Sequence, residues 1–298
     1  MAVVSRPMGR VKLAGPEVKP AGHYVKQGLR YGLLAIIGLI LFMPFILAFL
    51  GSFKTDAEII SWPPGFLPDN WLTENWVKVW NTNLGAGGTF PRWLFNTAFL
   101  AVSVAVAEAI ACSMAAYAFA RLRFPGRDAL FNFMLGTMMI PGAVTLIPAF
   151  VLMSKLKLLN TYWSLLLPGI VSAGAIFMLT QFFKTIPRDL EEAAVIDGAS
   201  QFQVYKDVIL PLARPALLTV LILQFQAMWN NFLTPLLYLD APKMWVLNVA
   251  LSVFRQQYKS QWNLTLVGAV FNAVPVLILF FFFSKYYIEG VAYAGVKG

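Results

Sequence analysis

The residues IPRDLEEAAVIDGASQFQVYKDVILPLARP, 186–215, form a long polar interval between two apolar blocks. Pro187 suits the first position of a helix, because the N–H donor that proline lacks would be unpaired there. The acidic residues after it favour the positive end of a helix dipole, and Gly198 suits a left-handed helix cap. Ser200 and Gln203 have the spacing of a capping box that opens a second helix. The sequence therefore predicts two short helices that project between two membrane spans.

The first of these two helices offers a contact surface rather than a catalytic group. Leu190, Ala193, Ala194 and Asp197 recur at helical spacing on one face, and the two alanines allow another protein to approach closely. The 186–215 segment contains no His, no Cys and no cluster of metal ligands. Two interpretations fit this pattern: a docking element for a soluble partner, and an amphipathic helix that lies on the membrane surface.

The composition of the whole chain is that of a membrane protein. Of its 298 residues, 59% are hydrophobic and 12% are charged, whereas about a quarter of the residues in soluble domains are charged. The net charge of +9 is spread over loops between apolar blocks, so membrane topology explains it better than nucleic-acid binding does. The single cysteine, Cys112, excludes a disulfide framework. The single histidine, His23, lies in the polar N-terminal tail.

Six apolar blocks are long enough for the ~20 residues that a bilayer-spanning helix needs. They predict an all-α polytopic membrane protein with transmembrane helices at 29–53, 93–120, 129–153, 161–183, 212–238 and 264–283. A basic tail, 1–28, precedes a transmembrane domain, 29–298; the first block is too long for the apolar region of a signal peptide. Prolines and glycines within the blocks predict a kink in the third span and bends in the fourth, at Pro141, Pro148, Pro168, Gly169 and Gly174.

Few polar residues interrupt these blocks. Glu108 lies in the second span, where a carboxylate normally faces the bundle interior or a wet cavity. Both a role in a translocation path and a structural hydrogen bond fit this position. Gln226 and Asn230 share a face of the fifth span at i and i+4, next to Asn231. Such amides either hold helices together or line a polar path.

The loops between the blocks carry information on orientation and on partners. Fifteen of the 23 Lys and Arg residues lie in or next to the tail, the 121–127 turn, the 186–215 segment and the C-terminus. The positive-inside rule therefore places both termini and the 186–215 segment in the cytoplasm. Residues 54–92 are rich in Trp, which fits both interfacial anchoring and aromatic stacking on a sugar.

The pattern Glu192-Ala193-Ala194, three residues, Gly198, nine residues, Val208-Ile209-Leu210-Pro211 resembles the EAA loop of ABC-importer permeases. The family pattern is E-A-A-x3-G-x9-I-x-L-P, and Val208 replaces its Ile. Stretches at 116–127, 229–235 and 289–298 are similar to the carbohydrate, maltose-permease-like branch of these binding-protein-dependent systems. The resemblance covers the chain from about Leu29 onward.

The resemblance implies a type I ABC-importer permease fold and an EAA-like loop that sits in a cleft of a separate ATPase, with Glu192 pairing with a basic residue there. The residues that it assigns to ATPase coupling are Glu191, Glu192, Ala193, Ala194, Asp197, Gly198, Ala199, Leu210 and Pro211. The implied partners are a second homologous permease subunit, two ATP-binding subunits and an extracytoplasmic solute-binding protein, in addition to membrane lipid.

No Walker motif G-x-x-x-x-G-K-[ST] occurs in the chain, so the chain cannot cradle ATP in this way and a partner must use the ATP. We therefore expect no catalytic residue, cofactor or metal in this chain. The resemblance implies import of a carbohydrate or polyol across a bacterial-type inner membrane by alternating access. Substrate contacts in this branch lie mostly in the other permease.

Two other classes of protein were weighed against a permease subunit. A polytopic membrane enzyme needs paired carboxylates or a metal motif within its spans, and Glu108 is the lone carboxylate there. An ion-coupled secondary transporter typically has more intramembrane acids and two related halves. Co-purification of an ATPase would favour the permease, whereas activity of the isolated chain would favour an enzyme.

Overall fold

The computed structural model of the chain describes residues 21–257 and 261–295. The regular secondary structure of the described part is helical apart from one isolated antiparallel bridge between Asn83 and Thr89, so the all-α prediction is confirmed. Its α-helices are α1 (Ala21–Gly51), α2 (Asp56–Ile60), α3 (Glu74–Trp80), α4 (Phe90–Arg121), α5 (Arg127–Thr137), α6 (Gly142–Lys155), α7 (Trp163–Gly169), α8 (Ala173–Thr185), α9 (Asp189–Ile196), α10 (Gln201–Gln203), α11 (Leu210–Leu212), α12 (Arg214–Trp229), α13 (Leu233–Tyr238), α14 (Leu247–Gln257) and α15 (Trp262–Gly295).

The chain divides into two compact units, one ending at Leu47 and the other beginning at Ala48. Residues 1–20 of the predicted basic tail, 1–28, lie outside the described residues. Residues 296–298 of the C-terminal stretch lie outside them as well. The side chain of His23 is not described either. The described part of the first unit, residues 21–47, belongs to α1, which carries no charged residue from Tyr31 onward.

The membrane-spanning helices are of two kinds. Four are long and apolar enough to cross a bilayer as they stand: Lys26–Gly51, Phe90–Arg121, Trp163–Thr185 and Trp262–Phe283. Two more candidates are pairs of helices bent by 100° and 78°, Arg127–Thr137 with Gly142–Lys155 and Gln201–Leu212 with Arg214–Trp229. Counting each bent pair as one span gives the six that the sequence predicts.

The third predicted span, 129–153, is not one continuous helix. α5 ends at Thr137, and α6 begins at Gly142 after Pro141 in an extended conformation. The kink expected at Pro141 is therefore a 100° turn. Pro148, by contrast, lies inside α6 without dividing it.

The fourth predicted span, 161–183, is interrupted between α7 and α8. The break follows Pro168 and Gly169, and the Ser172 side chain caps α8 by accepting a hydrogen bond from the N–H of Ala175. A Cβ atom on Gly169 would lie 2.5 Å from Cγ1 of Val104 in α4. Glycine is therefore required here by the close approach of α4 and α7 rather than by backbone strain.

The fifth predicted span, 212–238, is shorter than expected. α12 ends at Trp229, residues 230–232 are not helical, and α13 is a separate short helix. The N–H of Asn230 still bonds to the carbonyl of Gln226, but Asn231 leaves the helical path. The two consecutive asparagines, poor formers of helix interiors, mark this break.

The centre of the second unit is α4, against which α8 and α12 pack. One cluster of buried residues surrounds Trp93 and Phe90 at the start of α4, and another surrounds Ala116 and Tyr117 near its end. We call these the far end and the near end of the second unit; the near end carries the 186–215 segment. This arrangement makes α4 the element that connects both ends.

The interval 239–263, between the fifth and sixth predicted spans, contains a helix, α14, that the sequence analysis does not predict. α14 buries Leu247, Ala250 and Phe254 in the cluster around Trp93. Its apolar residues recur at helical spacing, which the sequence reading missed because the interval was judged on overall polarity.

Candidate functional site

The first half of the 186–215 segment folds largely as its sequence predicts. The sequence predicts Pro187 as the first residue of this helix. In the structure α9 begins two residues later, at Asp189, so that detail of the prediction is wrong. Gly198 follows α9 with φ of +89°, a conformation that favours glycine. Ser200 and Gln203 form the predicted capping box: the Ser200 N–H donates to Oε1 of Gln203 at 2.8 Å, and the Gln203 N–H donates to Oγ of Ser200 at 3.4 Å.

The second half of the segment is a helix of mixed type that bends into α12. A π-helical turn, Val204–Ile209, links α10 to α11, and such turns recur at functional sites. The buried Tyr205 hydroxyl lies 2.8 Å from Oγ of Ser113 on α4. The helix direction then changes by 78° at the start of α12. The segment is thus tied to α4 before it enters the fifth span.

Arg121, the last residue of α4, joins three elements at the near end. Its Nη2 donates to the backbone carbonyls of Phe183, at 2.7 Å, and Ile186, at 2.6 Å. Its Nε lies 2.7 Å from Oε1 of Glu191 on α9, an ion pair that lacks hydrogen-bond alignment. The Arg121 and Glu191 side chains are only 5% and 14% exposed. We call this arrangement the Arg121 clamp; it connects α4, the end of α8 and α9.

The Glu191 carboxylate is held in a partly dry environment. Burial raises the pKa of Glu191, and this effect outweighs the opposing attraction of the Arg121 and Arg188 guanidinium groups. The ion pair therefore offsets only part of the cost of removing the carboxylate from water. Because Glu191 lies on α9, loss of its ion pair with Arg121 would directly weaken the attachment of α9 to α4.

The outer surface of the 186–215 segment is apolar at its centre and charged at its edge. Ile196 is 85% exposed and Phe202 63% exposed. Beside Ile196 lies an open cavity of about 390 Å³ lined in part by Arg188 and Glu192. Exposed apolar side chains that are rimmed by charged ones are typical of protein-binding surfaces.

The residues assigned to coupling divide into two groups in the structure. Ala194, Ala199 and Leu210 pack against the buried cluster of the near end, and Glu191 is engaged in the Arg121 clamp. The remaining five are exposed: Glu192, Ala193, Asp197, Gly198 and Pro211. The sequence analysis assigned Arg121 only to the basic 121–127 turn. An arginine at the end of an apolar span was nevertheless a signal for a contact like the Arg121 clamp.

A cavity of about 290 Å³, which we call the inter-span cavity, lies between α4, α6, α7, α12 and α13. Among its polar lining residues are Thr145, Gln224, Asn231 and Thr234. The Gln224 side chain also donates to the carbonyl of Gly169 at 3.3 Å, next to the break after α7. Asn231 was predicted as a path residue; Gln224 was left out of that prediction, although it is an amide in the same span.

Asn230 faces a different space from its neighbour Asn231. It lines an open groove of about 490 Å³ between α14 and α15, which we call the α14–α15 groove. Its Nδ2 donates to the carbonyl of Gln226 at 3.0 Å. The structure therefore separates the predicted path residues instead of bringing them together.

Glu108 lies in neither of these two spaces. It is 2% exposed on α4 and interacts with the Ser172 side chain at the break between α7 and α8. Cys112, one turn further along, accepts a hydrogen bond from the Ser172 N–H at 3.4 Å. Of the two interpretations of Glu108, this position favours the structural one. Among the described residues, no group of three or more His, Cys, Asp and Glu side chains could hold a metal ion.

Comparison with known proteins gives a consistent family. The family profile described as "Binding-protein-dependent transport system inner membrane component" matches residues 109–290. The arabinooligosaccharides transport system permease protein AraQ of Halalkalibacterium halodurans is 34% identical over 89% of this chain and 94% of its own length. The sn-glycerol-3-phosphate transport system permease protein UgpE of Salmonella typhi is 30% identical over 87% of this chain and 93% of its own length.

A solved structure agrees with the fold. A chain of a bacterial ABC transporter involved in the import of the acidic polysaccharide alginate superposes with a TM-score of 0.75. It is 26% identical in sequence, and the match covers 91% of this chain and 100% of that chain.

Proposed function

Since the chain belongs to the family of binding-protein-dependent transport system inner membrane components, we propose that it couples solute import to ATP hydrolysis by a separate subunit. It is a carbohydrate ABC-importer permease and a multi-pass protein of the inner membrane. In this proposal α9 docks on the ATP-binding subunit, and movement of α9 switches the spans between inward-facing and outward-facing states. The chain binds no ATP itself.

The observation that carries the proposal is the Arg121 clamp. A docked helix can move the spans only if it is connected to them firmly, because a flexible loop would absorb the displacement. Arg121 ties α9 to the ends of α4 and α8 through three short contacts, all within 2.7 Å. A rigid-body displacement of α9 is therefore passed to two helices at once.

The partners of the chain follow from the same proposal. A second homologous permease subunit completes the pathway, two ATP-binding subunits drive it, and an extracytoplasmic solute-binding protein delivers the solute. The exposed Glu192 is placed to pair with a basic residue of the ATPase. The 85% exposed Ile196 side chain supplies the apolar centre of that contact.

The substrate class that we propose is a carbohydrate or a related polyol. AraQ is named for arabinooligosaccharides and UgpE for sn-glycerol 3-phosphate, and both substrates are rich in hydroxyl groups. The amide and hydroxyl side chains in the inter-span cavity, among them Gln224 and Asn231, suit the passage of such solutes.

Both termini and the 186–215 segment lie in the cytoplasm in this proposal. The orientation is tested by placing a cysteine at Arg123, which is exposed at the near end. A membrane-impermeant maleimide should label Arg123→Cys in inside-out vesicles and leave it unlabelled in intact cells. Labelling from outside the cell would contradict the orientation and the coupling together.

The central test is co-purification of the ATPase with the tagged permease. We expect Ile196→Glu to abolish co-purification and ATP-dependent uptake, because a charge would replace the apolar centre of the contact. Trp62→Glu is the matched control for co-purification alone, since Trp62 is 90% exposed and lies outside the 186–215 segment. Retention of the ATPase by the Ile196 variant, at normal membrane levels, would refute docking at α9.

A further inference from the structure

The α14–α15 groove is a pocket of ligand size that the coupling mechanism does not use. Its volume of about 490 Å³ lies within the range of about 300–1,000 Å³ that is typical of small-molecule sites. It opens at the far end, beyond the last residue of α12. Since α12 runs for 16 residues from the near end, the groove is separated from the 186–215 segment by the length of that helix.

Two helix faces supply polar groups to the groove. On α14, Asn248, Ser252 and Arg255 recur at i, i+4 and i+7, which places them on one side of the helix. On α15, Thr265 and Asn272 lie seven residues apart, again on one side. The faces meet at the end of α12. The groove therefore collects hydroxyl, amide and guanidinium groups from opposite walls.

Several of these groups are fixed in place before any ligand arrives. The Trp229 indole N–H donates to the backbone carbonyl of Asn272 at 3.0 Å. The Asn248 side chain donates to the carbonyl of Trp229 at 3.0 Å. Both helices are thus anchored to the end of α12, and a preorganised site loses little entropy when it binds.

One buried polar atom in the groove lacks a protein partner. Oδ1 of Asn272 is buried and accepts no hydrogen bond, although buried polar atoms are normally paired. A rotation of the Asn272 side chain toward the groove would let this oxygen accept a hydrogen bond from a hydroxyl group of a ligand.

The charge of the groove is positive. No described residue that lines it carries a carboxylate, and the ion pairs among described residues involve Arg121 and Arg127 but not Arg255. The Arg255 guanidinium lies 5.9 Å from the centre of the Trp262 ring, a stacking contact that leaves the in-plane N–H groups available. An anionic group suits this position.

We propose that the α14–α15 groove binds a polyhydroxylated solute with an anionic group, which pairs with Arg255 while a hydroxyl group donates to Asn272. The inference rests on the proposed transport function and adds a substrate class to it. A carboxylate, as in a uronate, and a phosphate ester share the chemistry that Arg255 recognises.

The test is equilibrium binding to the purified transporter with all its membrane and ATPase subunits, but without the solute-binding protein. The radiolabelled probes are galacturonate oligosaccharides, sorbitol 6-phosphate and uncharged maltotriose. We expect an anionic probe to bind, with at least tenfold weaker affinity in Arg255→Gln and an intermediate loss in Arg255→Lys. Binding of galacturonate oligosaccharides would identify the anionic group as a carboxylate, and binding of sorbitol 6-phosphate would identify it as a phosphate.

Matched variants separate the site from general damage. Gln256→Ala changes the neighbouring exposed residue of α14, which does not line the groove, and should leave affinity unchanged. Asn272→Ala should weaken binding several-fold without changing the preference for the anionic probe. Because Arg255 is exposed, its replacement leaves the fold intact even if Asn272→Ala does not.

Two results would overturn the proposal. The first is that no anionic probe binds in a manner that depends on Arg255. The second is that maltotriose binds with the same dependence on Arg255 as the anionic probes. Both results are measured without ATP hydrolysis, so they would refute the groove and leave the proposed coupling to an ATPase untouched. Absence of a co-purifying ATPase would refute the proposed function instead.

Discussion

The two ends of the second unit are held together by different kinds of contact. At the near end, the Arg121 clamp concentrates an ion pair and two hydrogen bonds to backbone carbonyls on one guanidinium group. At the far end, neutral side chains bond to the backbone of the 242–247 stretch: Trp93 to Pro242, Asn96 to Lys243 and Trp245, and Thr97 to Leu247. Both ion pairs found among the described residues lie at the near end.

The difference between a charged clamp at the near end and neutral bonds at the far end fits the different roles that we propose for the two ends. Neutral bonds that are shared among three side chains hold α4 and the 242–247 stretch in a fixed relation, and the loss of one leaves the others. A single charged centre instead makes α9, α4 and α8 depend on one residue. The near end is therefore the more sensitive to substitution, as expected of the place where movement enters the spans.

The largest effect is expected for Arg121→Ala. The change leaves Glu191 without its ion-pair partner and removes a donor from the carbonyls of Phe183 and Ile186, and breaking a buried pair costs about 3–5 kcal/mol. We expect ATP-dependent uptake to be lost and the thermal midpoint of the purified complex to fall by several degrees. Arg121→Lys should recover part of both, since it keeps the charge but not the fork of donors.

Arg123→Ala is the control for this prediction, because Arg123 lies two residues away and is exposed. Uptake by Arg121→Ala at the level of the Arg123 variant would mean that the clamp is dispensable. The contrast between the two ends would then carry no functional meaning.

A smaller effect is expected at the far end for Asn96→Ala. Asn96 is 3% exposed and donates to the carbonyls of Lys243 and Trp245. Its loss should lower the free energy of unfolding by about 2 kcal/mol and leave coupling of ATP hydrolysis to uptake intact. Asn81→Ala, at an exposed position, is the comparison. Uncoupled ATP hydrolysis in the Asn96 variant would contradict the separation of roles.

Gly198→Ala tests the turn that sets the direction of α9. With φ of +89° and no atom within 4 Å of an added Cβ, the substitution strains the backbone without a steric clash. We expect a cost of about 1–2 kcal/mol and a partial loss of ATPase co-purification. Gly136→Ala adds the same methyl group in open space within α5, where it should be neutral or stabilising. Equal behaviour of the two variants would exclude a role for the turn.

The smallest effect concerns pH. Because burial raises the pKa of Glu191 above its ordinary value of 4.5, its contribution to stability is fully present below that value and is lost as pH rises through the raised pKa. The thermal midpoint of the wild type should therefore fall relative to that of Glu191→Gln from acidic to neutral pH.

Local chemistry was the part of the structure that could be predicted. The capping box at Ser200, the left-handed turn at Gly198 and the break at Pro141 each depend on a few neighbouring residues, and each was expected from them. The size of the turn at Pro141 was not predictable, because it is set by the packing of α5 and α6 on other elements. The end of α12 at Trp229 was missed for a related reason: hydropathy continues through residues 233–238 although the helix does not.

Long-range pairing was out of reach of the sequence. Nothing near Arg121 indicates Phe183, Ile186 or Glu191 as its partners, since 62 to 70 residues separate them in the chain. The neighbouring asparagines Asn230 and Asn231 were placed together in one path, whereas they line separate spaces. Because α12 ends at Trp229, the adjacency of the two asparagines in sequence did not show in which direction each side chain extends.

The burial of Cys112 against the break between α7 and α8 has a practical consequence for labelling experiments. Cys112 is the chain's lone thiol; it is fully buried and in contact with the Ser172 backbone. Maleimides and other water-borne thiol reagents therefore find no accessible cysteine in the folded natural chain. Reporter dyes or spin labels attached at chosen surface positions will give signals from those positions alone, with no need to re-engineer the interior first.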